Sequence, residues 1–256
     1  MGIGDRFRGL FKKQNELEPL EPERKLMVKS GYNMRELGGY ACGNYQTLYQ
    51  RFIRSGSLET LTEDDQERLY DYGVRMVLDL RGNREREMAP DTLVDWEGVR
   101  SKHVRLYDLD ISDPKLAHPD DDYLINSYLT MLANKDAIRE IFTFFATAAD
   151  DECVLYHCTA GMDRTGMTSM LLLSLCGASA KRIVSDYCYS FGPVEEVDYA
   201  VFNHPHTVRN ELQIRLKAIA VVYRKLIEAY GSPVRYLTDC GLSRDELLAV
   251  RHHLLG

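Results

Sequence analysis

VLYHCTAGMDRTGMTSMLLLSLCG, residues 154–177, sets two apolar segments against each other, with the eight residues 159–166 between them. The run CVLYHC, residues 153–158, is short and apolar, as a buried strand is. GMTSMLLLSLCG, residues 166–177, is apolar on nearly every face, as a helix inside a core is. In an open α/β sheet, ligands bind beyond the carboxyl ends of the strands, which is where this short connection falls.

The residues of the connection form a consistent set. A loop that runs into a helix N-terminus exposes several backbone N–H groups and makes an anion cradle. Gly161 and Gly166 let the backbone curl inward and approach a ligand closely. Arg164 adds a planar fork matched to two phosphate oxygens. Cys158 sits at the base of this positive field, which favours thiolate over thiol. A thiolate facing a bound phosphate, with Arg164 on the equatorial oxygens, is set for in-line phosphoryl transfer to sulfur. A bare C-x5-R spacing arises by chance in many chains. A preceding His, a Gly within the loop, Thr-Gly after the Arg and an apolar helix next make chance a poor account.

The rest of the chain frames this loop. Its 256 residues suit one large domain or two small ones, and the apolar share of 45% is that of a globular protein. A net charge of −7 excludes a general electrostatic affinity for nucleic acid, so any anion must be caught locally. The six cysteines, at 42, 153, 158, 176, 188 and 240, show no C-x-x-C pair and no zinc spacing. No metal and no cofactor are expected, and reduced thiols point to a reducing compartment. No 18-residue apolar run or signal-peptide core is seen, so no membrane span is expected. The expected location is cytoplasmic, with export by a non-classical route left open.

Residues 1–28 read as a separate, partly flexible arm, broken by Pro19 and Pro22 in LEPLEPER. Ile3, Phe7, Leu10 and Phe11 share one helical face among basic residues, but a mobile arm is preferred to a membrane anchor. Residues 29–256 read as a single domain. RFIRSGSL, VRMVLDLR and CVLYHC are strands, and KHVRLYDLD alternates weakly. LTEDDQERLYDYG is a helix capped by Thr62 and stopped at Gly73. GNREREM is a polar turn or short helix, and residues 121–149 read as one long helix. Helices also follow over 179–190, 206–231, 232–241 and 243–255. The expected fold class is α/β, a central mostly parallel sheet flanked by helices with a helical C-terminal half.

HCTAGMDRTG resembles the signature loop of cysteine-dependent protein phosphatases. It is most similar to the bacterial tyrosine and dual-specificity group, whose loop reads HC-x-A-G-K-D-R-T-G. NMRELGGY resembles that group's N-x-R-D-L-G-G motif, and RFIRSGSL, VLDLRGNRERE and the closing residues 230–255 resemble its other landmarks. The resemblance covers residues 29–256 and implies a cysteine-phosphatase fold. It implies that Cys158 is the nucleophile of a phosphocysteine intermediate and that Arg164 binds phosphate and stabilises the transition state. Main-chain groups of Thr159, Ala160, Gly161, Met162, Asp163 and Arg164 would complete the substrate cradle, where phosphate or sulfate would sit. His157 would orient the loop from behind, and Thr165 would donate to Cys158.

The general acid is less defined by the sequence. Asp163, inside the loop, is preferred; Asp108 and Asp110 in YDLDISD are the alternatives. Asp120 to Asp122 read as a helix cap. Asp79 and Arg81, at a neighbouring strand end, read as a buried supporting ion pair, and Arg35 and Glu36 as structural. Met162 departs from the related pattern, which has Lys there. Without that charge a phosphoinositide is less well served, and the reading tilts toward phosphotyrosine on a protein, with some phosphoserine or phosphothreonine, or a small phosphomonoester. A phosphoinositide phosphatase, a non-catalytic phosphate-binding module, and sulfur or arsenate chemistry are the alternatives.

Overall fold

The structure is a computed structural model, and it describes residues 26, 28–93, 96–108, 120–191 and 207–256. Asp110 and nearly all of the expected arm lie outside the described residues. Leu26 and Val28 are described, and both pack against the domain core.

Four strands form a parallel array around the one that ends in His157. β4 (Phe52–Ser55), β5 (Val74–Asp79), β6 (Arg100–His103) and β7 (Cys153–His157) belong to a five-stranded sheet. β7 lies between β4 and β5, and β6 is beyond β5. β1 (Arg35–Glu36) closes the other edge, antiparallel to β4. β2 (Ala41–Cys42) and β3 (Tyr45–Gln46) form a separate hairpin.

β7 is buried throughout, and apolar up to His157 at its end, because both faces of the sheet are covered. Val154 and Tyr156 face one cluster, with Phe52, Met76 and Leu78. Cys153 and Leu155 face the other, with Ile53, Val74 and Val77. The second face is covered by α1 (Glu63–Tyr72) through Leu69. The first carries α3 (Asp121–Ala133), α4 (Lys135–Phe145), α5 (Asp163–Cys176) and α6 (Ala180–Cys188). It also carries α7 (Thr207–Tyr230), α8 (Pro233–Asp239) and α9 (Arg244–Leu255). α2 (Asn83–Met88) is the short helix after β5, and none of its residues is buried. Every residue of α5 from Arg164 to Cys176 is buried, which explains its lack of a polar face.

One expectation is corrected. Residues 121–149 are not one helix: the chain leaves helical geometry at Asn134 (ψ 68°) and divides into α3 and α4. The Asn134 side chain accepts from Ala137 N at 3.3 Å, capping α4, and donates to Leu106 O at 3.1 Å. A short amide competing with the backbone ends one helix and starts the next without disturbing the apolar periodicity. The other caps follow the sequence: Thr62 accepts from Asp65 N, and Asp120 from Tyr123 N.

Candidate active site

The strand register brings three chain segments together. His157 at the end of β7 pairs with Ser55 on one side and Asp79 on the other. The loop 158–162 rises from this edge and runs into α5 at Asp163.

Its shape is held by its carbonyls. Thr159 O accepts from Ser57 N at 2.9 Å, and Ala160 O from Asn33 Nδ2 at 2.9 Å. Gly161 O accepts from Asn33 Nδ2 at 3.0 Å and from Arg54 Nη2 at 2.8 Å. In a trans peptide the C=O and the following N–H point opposite ways. Carbonyls 159–161 are tied outward, so the N–H groups of Ala160, Gly161 and Met162 face inward, next to the N-terminus of α5. Only glycine fits at 161: φ is +66°, and a Cβ would lie 2.5 Å from Gly56 N.

Behind the outward carbonyls is a buried charge cluster. Asp186 of α6 pairs with Arg54, accepts from Arg35 Nε at 3.4 Å, and accepts from Tyr40 OH at 3.0 Å. Arg35 Nη1 donates to Asn33 Oδ1 at 2.5 Å, so the cluster also orients the amide that grips the loop. Burial pushes the Asp186 carboxyl upward, but Arg54 and Arg35 outweigh it and hold it below the usual carboxylate range. Arg35 thus lies within this cluster, while Glu36 accepts from Gln50 N and Tyr72 OH.

A second cluster supports His157. Its Nδ1 lies 3.3 Å from Cys158 O and its Nε2 lies 2.9 Å from Asp91 Oδ2. Arg81 bridges Asp91 and Asp79, donating to Asp91 Oδ1 at 2.7 Å and to Asp79 at 3.0 and 2.9 Å. Burial raises the Asp79 carboxyl, and the hydrogen bonds from Arg81 with the neighbouring His157 bring it below its ordinary value. Asp79, Asp91 and His157 offer ligand atoms within 4.8 Å of one another, as a metal site does. Arg81 bridges both carboxylates and Arg86 Nε lies 3.1 Å from Asp79 Oδ2, so two guanidiniums already face the two carboxylates of the group. Asp91 was not singled out in the sequence.

The open side of the loop holds the remaining residues. Cys158 is buried beneath it. Arg164 forms a bidentate pair with Glu85 of α2, Nη1 to Oε2 at 2.5 Å and Nη2 to Oε1 at 2.6 Å. Glu85 Oε1 also accepts from Thr159 Oγ1 at 2.5 Å, and Oε2 from Gly82 N at 2.9 Å. Glu85 was not singled out either; in NREREM it reads as one charge among several on a solvated turn. Met162 is half-buried against the core at the N-terminus of α5. Thr165, buried behind the loop, donates from Oγ1 to Ser55 O at 3.5 Å rather than to Cys158 as the resemblance implied.

The two described acid candidates have separate partners. Asp163 Oδ1 accepts from Arg215 Nη1 at 2.7 Å, from Tyr187 OH at 3.1 Å and from Tyr128 OH. Its Oδ2 has no hydrogen-bond partner among the described residues. Asp108 pairs with Arg105 and packs over Gly82, where a Cβ would lie 2.7 Å from its Oδ1. The preceding Tyr107 O is 3.5 Å from Arg164 Nη1, so the segment borders the loop.

Known proteins are similar to this chain. The sequence profile of the tyrosine phosphatase family matches residues 26–256. A tyrosine-protein phosphatase of Nostoc commune is 33% identical over 141 residues, 54% of this chain and 48% of that protein, about half its length. A putative tyrosine-protein phosphatase of Cupriavidus necator is 28% identical over 242 residues, 88% of this chain and 86% of its own. The triple specificity protein phosphatase PtpB of Mycobacterium tuberculosis is 24% identical over 251 residues, 80% of this chain and 91% of its own. The match runs through the sheet, the loop and the C-terminal helices alike, and the chain belongs to the tyrosine phosphatase family.

Proposed function

We propose that the protein hydrolyses phosphotyrosine through a phosphocysteine intermediate. The observation that carries this is the outward tethering of carbonyls 159–161, which turns three N–H groups inward beside Cys158 and Arg164. In the first step the Cys158 thiolate attacks phosphorus in line, the bond from phosphorus to the ester oxygen breaks, and that oxygen takes a proton from an acid. In the second, water gives a proton back to the carboxylate and attacks phosphorus, and the sulfur leaves. The inward N–H groups and Arg164 stabilise the equatorial oxygens in both. His157 and Thr165 support the loop from behind, with Asp79 and Arg81 beyond them.

We assign the acid to Asp163, whose Oδ1 is anchored by three donors while Oδ2 remains for proton transfer. Asp108 and Asp110 are the alternatives. For the substrate, Met162 brings no charge to the loop. Tyr32, 59% exposed, packs its ring against Gly56 beside Thr159 O. Both suit an aryl phosphate better than a multiply charged inositol lipid. Among the described residues no helix is long and apolar enough to cross a membrane. Six free, buried cysteines suit the reducing cytoplasm, where a phosphorylated protein would be the substrate.

The test is turnover of p-nitrophenyl phosphate, a phosphotyrosine peptide and phosphoinositides, in EDTA, by wild type and Cys158→Ser. The variant should lose activity by about four orders of magnitude or more. Unchanged turnover sinks the mechanism, and preference for the lipid overturns the substrate reading. Asp163→Asn and Asp108→Asn, compared on good and poor leaving groups, identify the acid: its loss slows mainly the poor leaving groups.

A further inference from the structure

Thr159 opens the loop and Arg164 closes it, five residues later, and one carboxylate outside the loop touches both. Glu85 Oε1 accepts from Thr159 Oγ1 and from Arg164 Nη2, while Oε2 accepts from Arg164 Nη1 and from Gly82 N. Four donors thus meet two oxygens. The Glu85 side chain is only 14% exposed, although it belongs to a helix with no buried residue. α2 is itself tied down on the next residue, since Arg86 Nε lies 3.1 Å from Asp79 Oδ2. Asp79 shares Arg81 with Asp91, and Asp91 meets His157. Adjacent residues of α2 therefore connect to the phosphate-binding end of the loop and to the support behind Cys158.

We infer that Glu85 is a positioning residue for the phosphate cradle, holding Thr159 and Arg164 at a fixed separation before substrate arrives. The inference rests on the loop being a phosphate site, as proposed above. The geometry divides the guanidinium. Both Nη atoms turn their outer edge to Glu85, and Nε has no partner among the described residues. Nη2 also lies 3.4 Å from Thr159 Oγ1, which leaves Nε as the donor available to an anion in the loop. A guanidinium on a flexible stem loses rotamer freedom when it is fixed, and a carboxylate that fixes it beforehand removes that cost from substrate binding. Burial pushes the Glu85 carboxyl upward, but the hydrogen bonds and charge of Arg164 hold it below its ordinary range, so the clamp stays charged at neutral pH.

The opposite role is also chemically defined. A carboxylate on the phosphate-binding arginine can act as a plug that phosphate must displace. The two roles predict opposite changes in anion affinity. Inorganic phosphate binding to the full chain is measured by titration calorimetry for wild type, Glu85→Ala and Glu85→Gln, together with kcat and KM on p-nitrophenyl phosphate. Positioning predicts phosphate binding weakened about tenfold in Glu85→Ala. It also predicts kcat lowered by about 100-fold, the effect of a misplaced catalytic group. Glu85→Gln keeps the reach and one acceptor, so it should fall between Ala and wild type. Phosphate bound as tightly as in wild type, or more tightly, overturns the inference. If Glu85→Ala fails to fold, as its melting curve will report, the same criterion applies to Glu85→Gln. Titration requires no turnover: phosphate binding without hydrolysis would defeat the proposed reaction and leave the role of Glu85 to the variants.

Discussion

The two flanks of the loop are built from the same chemistry, carboxylate with guanidinium, to different ends. On the inner flank Arg54, Arg35 and Asp186 are all under about 4% exposed, and they act on backbone carbonyls. On the outer flank Glu85 is partly exposed and acts on the side chains of Arg164 and Thr159. A buried ion pair is costly to break because the surviving charge has no solvent. The inner flank therefore fixes the path of the backbone and is coupled to folding. The outer flank adjusts side chains that meet the substrate and is coupled to function.

Four substitutions at three positions probe that division. Asp186→Ala leaves two buried guanidiniums without their carboxylate. It should cost about 3–5 kcal/mol, seen as a large drop in melting temperature together with loss of activity. The same pair has a signed pH dependence. Because the folded Asp186 carboxyl lies below its unfolded value, the stability it provides is complete above about pH 4 and is lost as pH falls through the folded value. Asp186→Asn should accordingly show a shallower loss of melting temperature on acidification than wild type. A small effect of Asp186→Ala on melting would remove the distinction between the flanks.

Gly161→Ala should come next. Its Cβ would collide with Gly56 N and Ser55, at a positive φ, so the loop must move. Turnover should fall by about 100-fold, as for a displacement near 1 Å, with a smaller change in stability than Asp186→Ala. Arg86→Ala should have the least effect. Arg86 is 42% exposed on the outer flank and pairs with Asp79, which Arg81 already holds. Its removal should change stability by no more than about 1 kcal/mol, measured by denaturant titration. A larger loss would mean that α2 contributes to the fold itself.

How much of this was legible in the sequence follows from range. The strand β7, the loop and α5 were readable because each signal is local: an apolar run, two glycines at a turn, an apolar helix. Thr62 and Asp120 were readable as caps because each reaches a backbone N–H three residues on. Two-residue strands such as β1 and the β2–β3 hairpin are too short to show a period. The division at Asn134 was hidden because the apolar spacing continues across it. The partners of the site were hidden by distance along the chain. Asp186 lies 151 residues from Arg35 and 132 from Arg54, and Glu85 lies 79 from Arg164. In the sequence these carboxylates are indistinguishable from those that face water.

Gly166 and Asp163 share a neighbour, and this links their freedom to vary. A Cβ at 166 would lie 2.7 Å from the Tyr187 ring, and the hydroxyl of that ring donates to Asp163. Any side chain at 166 must turn the ring, and turning the ring moves a donor away from the carboxylate three residues earlier on the same helix. A lineage that enlarges position 166 must therefore either shrink position 187 or settle the carboxylate at 163 by other means, so the three positions drift together or stay fixed.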